Sequence, residues 1–174
     1  GNAHKAAEAQ QILRGRMPGV NVLTFDGESP VESGTSFLEN ALIKARAAHK
    51  ATGKPAFADD SGISVEVMGG APGIFSAIWS GTRDDQINRD LLLAQLEDIP
   101  MEHRGAAFVC TVALVSDDAE VSFTGIWSGS IALQAAGDTP PDSRSSTAWP
   151  MSRAPIPDSR HSHCPAVPSL PMTR

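Results

Sequence analysis

Helix-like and strand-like segments alternate along roughly the first 134 residues of the chain, and this alternation indicates an α/β fold. The strongest helical pattern runs from Ser36 to Ala51, where apolar residues recur at helical spacing. Thr35 or Ser36 is the candidate N-cap, since a glutamate follows in the capping-box position. Two further amphipathic helices are predicted, from Lys5 to Leu13 and from Asp84 to Leu96.

Strands are predicted from apolar runs and from period-two alternation. Ala106 to Val115 is an almost unbroken apolar run, which is typical of a buried strand. Val121 to Trp127 alternates and forms the second arm of a predicted hairpin. Residues 20–25 also alternate like a strand. Two short extended segments, residues 55–58 and 63–67, lie on either side of Asp59-Asp60-Ser61-Gly62.

The character of the sequence changes after Gly137. Residues 139–174 contain eight of the 13 prolines and no periodic apolar pattern. Such a segment buries too little apolar area to offset the entropy of ordering it, so it is predicted to be disordered or ordered only by contact with another surface. The expected organisation is therefore one folded domain over residues 1–137 and a Pro/Ser/Arg-rich tail over residues 138–174.

Composition excludes several functional classes. The 41% hydrophobic and 20% charged residues are typical of a soluble globular protein, and the formal net charge of −6 argues against a surface that binds nucleic acid. No apolar run is long enough to span a membrane. The two cysteines form no disulfide framework or zinc spacing, so a cytoplasmic location is expected.

The strongest candidate for chemistry is Asp59-Asp60-Ser61-Gly62, which places two carboxylates and a hydroxyl where a strand is predicted to end. Ligand crevices of α/β folds usually lie at such points, and carboxylate oxygens suit Mg²⁺. The same tetrapeptide is also an ordinary turn sequence, which leaves a purely structural interpretation open.

Two other segments have both a functional and a structural interpretation. Residues 1–5, Gly-Asn-Ala-His-Lys, open a helix and could cradle a phosphate, although Gly-Asn is also a generic turn and cap. Glu39 and Lys44 could simply lie on the solvated face of the predicted helix. Asn40 is harder to explain in that way, because asparagine is a mediocre helix former.

Four motifs in a fixed order carry a family resemblance. They are Gly-Asn-x-x-Lys at residues 1–5, Glu-x-Gly-x-x-Phe-x-Glu-Asn-Ala-x-x-Lys-Ala at 32–45, Ala-Asp-Asp-Ser-Gly at 58–62 and Gly-Gly-Ala-Pro-Gly-Ile-Phe-Ser-Ala at 69–77. Over residues 1–137 the chain resembles the non-canonical purine nucleoside triphosphate pyrophosphatases, the inosine triphosphatase family.

The resemblance implies an elongated mixed sheet with flanking helices, a cleft between two lobes and a homodimer. It implies Mg²⁺-dependent cleavage of ITP, dITP or XTP to the monophosphate and pyrophosphate. Asp60 matches the catalytic residue, which would activate water and bind metal, and Glu32 matches a second metal ligand. The positions that would contact the nucleotide substrate are Gly1, Asn2, Lys5, Lys44 and Ser61.

The sequence also departs from the family pattern. The first strand of the family is absent before Gly1, and Ile78 stands where arginine is usual. The family's Gly-Phe-Gly-Tyr-Asp-Pro and Ser-His-Arg segments, which recognise the base, are missing after residue 137, and the chain has no tyrosine. A shifted reading frame would explain this change, a hypothesis that the source DNA would test.

Two alternative functions remain open. An impaired family member would retain only weak nucleotide binding or act as a dimer partner. An unrelated Mg²⁺ phosphatase would use Asp59 and Asp60 as nucleophile and acid, but the Asp-x-Asp spacing expected for such an enzyme is absent.

Overall fold

The computed structural model describes residues 3–135 and 151–153. Its regular elements are α1 (Ala3–Arg14), α2 (Phe37–Thr52), β1 (Ala56–Val65), α3 (Asp85–Gln95), β2 (Gly105–Val115), β3 (Glu120–Ile131) and β4 (Met151–Arg153). Short 3₁₀ turns follow β1 at Glu66–Met68 and Gly73–Ile78, and a third precedes β2 at Met101–His103.

The four described strands form one sheet in the order β1-β2-β3-β4, and each neighbouring pair is antiparallel. Together with the helices this confirms the predicted α/β class with flanking helices. The hairpin of β2 and β3 pairs along its whole length, from Gly105 opposite Ser130 to Val115 opposite Glu120. The cleft between two lobes stays a prediction.

Two helices cover opposite faces of the sheet. Ala41 and Ala45 of α2 pack with Ala113 and Val115 of β2 in one buried cluster. Leu92 and Leu96, at the end of α3, belong to a second cluster, whose strand residues are Ile63, Val65, Ala106 and Ile131. Successive strand residues point to opposite faces, so the odd-numbered and even-numbered residues of β2 contact different helices. Along β1, Ala58 packs against the first cluster and Ile63 belongs to the second, so the middle of this strand lies between the two packed regions.

The predicted strand at residues 20–25 is wrong. This segment has no regular structure, and its backbone is bonded to a side chain instead of to a neighbouring strand. The Gln10 amide donates to the carbonyl of Val20 at 3.0 Å and accepts the N–H of Val22 at 2.7 Å. Alternation alone cannot form a strand where no backbone partner is within reach.

The prediction that a strand ends at Asp59 to Gly62 is wrong, and these residues do not form a turn either. They lie within β1, which continues through them and pairs with β2 from Ala56 to Val65. A Cβ on Gly62 would lie 2.3 Å from the carbonyl oxygen of Gly73 and 2.5 Å from Oγ of Ser76. Glycine therefore marks a close approach of the following segment to β1, not a reversal of the chain.

Part of the predicted tail is ordered. Met151–Arg153 forms β4, which pairs with β3 at Gly129–Ile131. Backbone pairing with an existing sheet orders a short segment that has no core of its own. The remaining tail positions lie outside the described residues, and the domain boundary at residue 137 stays a prediction. Among the described helices, none has the length and apolar character needed to cross a membrane.

The start of α2 is capped as its sequence predicts. Oγ of Ser36 accepts the N–H of Glu39 at 3.2 Å, and the Glu39 carboxylate accepts the N–H of Thr35 at 2.6 Å. Hydrogen bonds to the Glu39 carboxylate, first from the backbone N–H of Thr35 and then from the Thr35 hydroxyl, hold the pKa of Glu39 below its usual value of 4.5. The cap fixes the first turn of the helix that carries Asn40 and Lys44.

Substituting Ser36→Ala is expected to lower the free energy of unfolding by about 1 kcal/mol, because one N–H at the helix start loses its acceptor.

Glu39 contributes through a lowered folded-state pKa, so its stabilisation is present above its usual pKa of 4.5 and is lost as the pH falls through the folded value. The free energies of unfolding of the wild type and Glu39→Gln, measured by urea denaturation at several pH values, should therefore converge at acidic pH. A difference in free energy that is the same at all pH values would contradict this role.

Candidate active site

Helix α2 directs two polar side chains at Asp60 on β1. Asn40 and Lys44 are four residues apart, so they lie on the same side of the helix, one turn from each other. Nζ of Lys44 is 2.8 Å from Oδ1 of Asp60, and Nδ2 of Asn40 is 3.3 Å from Oδ2. The Asp60 residue is only 8% exposed. Both oxygens of a nearly buried carboxylate are thus held by donors from one helix.

Glu32 reaches the same ammonium from the segment before α2. Its Oε1 lies 3.2 Å from Nζ of Lys44, so one lysine bridges the carboxylates of Glu32 and Asp60. Burial acts to lower the pKa of Lys44, but the hydrogen bond to Asp60 and the charges of both carboxylates raise it above its usual value. Lys44 is therefore a cation at neutral pH.

The position of Glu32 is tied to α2 through Gly34. The N–H of Gly34 donates to Oδ1 of Asn40 at 2.9 Å. A Cβ on Gly34 would lie 2.6 Å from that same oxygen and 2.7 Å from Cβ of Glu39. Only glycine allows the chain to pass so close to the helix start, two residues after Glu32.

Other predicted site residues lie elsewhere. Nζ of Lys5 lies 2.5 Å from Oδ2 of Asp59. Side chains alternate along β1, so Asp59 and Ser61 project from the face opposite to Asp60. The structure thus brings Glu32, Lys44 and Asp60 together and places Lys5 and Ser61 on the other side of β1. Gly1 and Asn2 lie outside the described residues.

The carboxylates of Glu32 and Asp60 can be compared with the ligands that a divalent cation needs. Among residues 3–135 and 151–153 no three His, Cys, Asp or Glu side chains form a group that could hold a metal ion. Glu32 and Asp60 nevertheless provide two hard oxygen donors, both within ion-pair distance of one ammonium. Mg²⁺ is typically bound by one or two carboxylates together with phosphate oxygens and water. The two carboxylates are therefore chemically suited to a divalent cation that takes its remaining ligands from elsewhere.

The sequence-based list of site residues missed Asn40. Its side chain contacts both Asp60 and Gly34, and its residue is 2% exposed. Two signals pointed to it: asparagine is an unfavourable choice inside a helix, and it lies four residues before Lys44.

The fold and site together define an α/β protein in which a helix packed on an antiparallel sheet supplies a lysine and an asparagine to a strand carboxylate. Comparison with known proteins gives the family: the chain belongs to the Ham1 family, whose model matches residues 1–140. This confirms the resemblance carried by the sequence motifs.

Individual relatives agree with this assignment. The chain is 53% identical over 138 residues to the dITP/XTP pyrophosphatase of Leifsonia xyli subsp. xyli, covering 78% of this chain and 69% of that protein. It is 48% identical over 143 residues to the dITP/XTP pyrophosphatase of Mycobacterium tuberculosis H37Rv, covering 79% and 70% of the two chains.

Solved structures show the same similarity. The Mycobacterium abscessus nucleoside-triphosphatase, also named dITP/XTP pyrophosphatase, superposes with a TM-score of 0.68 at 47% identity, covering 78% of this chain and 73% of that one. A HAM1 protein from Coxiella burnetii superposes with a TM-score of 0.70 at 35% identity, covering 79% and 73%. The predicted fold therefore agrees with experimentally determined members of the family.

Proposed function

We propose that this protein hydrolyses the non-canonical purine nucleoside triphosphates dITP, ITP and XTP to the monophosphate and pyrophosphate. The observation that carries the proposal is the Asp60 carboxylate, nearly buried and held by Lys44 and Asn40, with Glu32 on the same lysine. It is supported by relatives about half identical to this chain that are named for this activity.

The proposed chemistry uses each charge of the site. Water attacks phosphorus, the phosphoanhydride bond between the α and β phosphates breaks, and pyrophosphate leaves. Asp60 accepts the proton of the attacking water, and Lys44 compensates the negative charge that develops on the phosphate oxygens. Mg²⁺ is the proposed cofactor, with Glu32 and Asp60 as its protein ligands; when bound, it neutralises phosphate oxygens and orients the triphosphate.

Further contacts to the nucleotide are proposed for Gly1, Asn2, Lys5 and Ser61 from the family motifs. The amides at the start of α1 are suited to bind phosphate, with Lys5 in the first turns of that helix. Lys5 and Ser61 reach the ligand from the other face of β1, so their contribution is expected to be to binding, not to proton transfer.

A homodimer in the cytoplasm completes the proposal, with neither nucleic acid nor a membrane as partner. Its support is the family resemblance, the net charge of −6 and the presence of only two cysteines. Sedimentation equilibrium of the full chain measures the oligomeric state directly, and a monomer at micromolar concentration would contradict the dimer.

The test of the activity is product analysis with the full chain, after circular dichroism has shown that the sample is folded. dITP, XTP, dGTP and dATP are incubated with MgCl₂ or with EDTA, and pyrophosphate and orthophosphate are quantified separately. We expect pyrophosphate from dITP and XTP only with MgCl₂, and at least about tenfold slower release from dGTP and dATP. Orthophosphate as the first product, or no release by folded protein, would overturn the proposal.

A further inference from the structure

Asn40 is a buried amide whose two ends contact the Asp60 carboxylate and the backbone of Gly34, two residues after Glu32. Oδ1 accepts the N–H of Gly34 at 2.9 Å, and Nδ2 donates to Oδ2 of Asp60 at 3.3 Å. The residue is 2% exposed and lies in the first turn and a half of α2. One side chain therefore contacts the strand that carries Asp60 and the segment that carries Glu32.

Packing alone does not account for an asparagine at this position. The adjacent buried residues of α2, Ala41 and Ala45, belong to an apolar cluster. An amide costs helix propensity relative to alanine or leucine, and burying it is unfavourable unless its polar atoms are bonded. Both polar atoms of the amide have a partner in the site, which points to a role in the geometry of the site.

We propose that Asn40 is a positioning residue that fixes the orientation of the Asp60 carboxylate and its placement relative to Glu32. This inference rests on the proposed function of the site. Lys44 holds Oδ1 of Asp60, and a carboxylate held at one oxygen can still rotate about that contact. The second bond, from Asn40 to Oδ2, removes this freedom.

The bond to Gly34 extends the same constraint to the second carboxylate. The Glu32 side chain is 45% exposed and forms an ion pair with Lys44. Anchoring Gly34 to the Asn40 amide keeps the segment close to α2, so that Glu32 stays within reach of that lysine. Asn40 thereby sets the relative position of both proposed metal ligands before metal or nucleotide binds.

The test compares Asn40→Leu and Gly34→Ala with the wild type. Asn40→Leu keeps the size of the side chain and removes both bonds, whereas Gly34→Ala adds a Cβ that would lie 2.6 Å from Oδ1 of Asn40. Asn88→Leu is the matched control, because Asn88 is a fully buried helical asparagine whose bonds go to Ser80, Ala77 and Thr82.

We expect both site variants to reduce kcat for dITP by about 100-fold, with KM changed less than about threefold, because a misoriented reacting group slows the chemical step more than it weakens binding. Mn²⁺ affinity of the substrate-free protein, measured by electron paramagnetic resonance, should fall about tenfold. Asn88→Leu should lower the melting temperature and leave kcat per folded molecule within about threefold of the wild type.

Each outcome separates the two proposals. An active wild type whose Asn40→Leu and Gly34→Ala variants retain kcat and Mn²⁺ affinity would overturn the positioning role alone. Loss of kcat in Asn88→Leu equal to that in Asn40→Leu, per folded molecule, would also overturn it, because general destabilisation would then explain both. A folded but inactive wild type would instead overturn the proposed function.

Discussion

Substituting Asp60→Asn is expected to reduce kcat for dITP by about 10³-fold while the chain remains folded. The amide has nearly the shape of the carboxylate, but it cannot accept the proton of the attacking water, and general base catalysis contributes about 10²–10⁴-fold. Lys44 would also lose its ionised partner, whose hydrogen bond and then charge are the largest of the causes that raise the pKa of Lys44. Steady-state pyrophosphate release at saturating MgCl₂ measures the effect.

The neighbouring aspartate provides the comparison. Asp59→Asn removes a carboxylate of the same strand that pairs with Lys5 and projects from the other face. We expect this change to reduce kcat by less than about tenfold, because it leaves the reacting group in place. If Asp59→Asn proved as damaging as Asp60→Asn, the assignment of the catalytic carboxylate would be wrong.

The second large effect is expected for Arg104, a structural residue outside the site. It is 1% exposed, and its guanidinium donates to four carbonyl groups at the ends of two elements. These are the carbonyls of Leu96, Ile99, Ile131 and Ala132. Arg104 therefore connects the end of α3 and the loop after it to the end of β3.

Arg104→Met should lower the free energy of unfolding by about 3–5 kcal/mol, because several buried carbonyls lose their donor at once. Such a loss is a large fraction of the 5–15 kcal/mol that is typical of a domain. Urea denaturation followed by circular dichroism measures it. Arg46→Met, which breaks a solvent-exposed pair with Glu120, is the control and should have a much smaller effect. Equal effects of the two substitutions would contradict the role of Arg104.

The elements that follow local rules could be predicted from the sequence. Helix α2 has a capping box at Ser36 and a clear apolar face, and its observed range, Phe37–Thr52, lies within a residue of the prediction at each end. The apolar run from Ala106 to Val115 predicted β2 correctly, but the strand is buried on one face only near its end: Ala113 and Val115 are buried, whereas Val112 and Leu114 are exposed.

The errors arose where distant contacts decide the local structure. The extended pattern of residues 20–25 forms no strand because the Gln10 side chain, not a neighbouring strand, occupies its backbone groups. The sequence predicts that a strand ends at Asp59, yet β1 continues through Gly62, whose lack of a side chain accommodates Gly73 and Ser76. Neither contact can be predicted from the sequence pattern around the residue that it affects.

In the site, too, the residues could be predicted from the sequence but their arrangement in space could not. Glu32, Lys44 and Asp60 were assigned from family motifs, and the structure places them in contact. No local rule predicts that contact, because it depends on how α2 packs on the sheet. The four carbonyls around Arg104 come from segments up to 28 residues away, which explains why its burial was not predicted.

The most direct test of Glu32 and Asp60 as one catalytic unit is a double-mutant cycle. kcat/KM for dITP with MgCl₂ is measured for the wild type, Glu32→Gln, Asp60→Asn and the double variant. Substitutions of residues that act as a unit have strongly non-additive effects. The kcat/KM of the double variant should therefore be within about threefold of that of the less active single variant. A shared role of the two carboxylates would be contradicted if the fold-reduction in kcat/KM of the double variant equalled the product of the two single reductions. It would also be contradicted if Glu32→Gln were as active as the wild type.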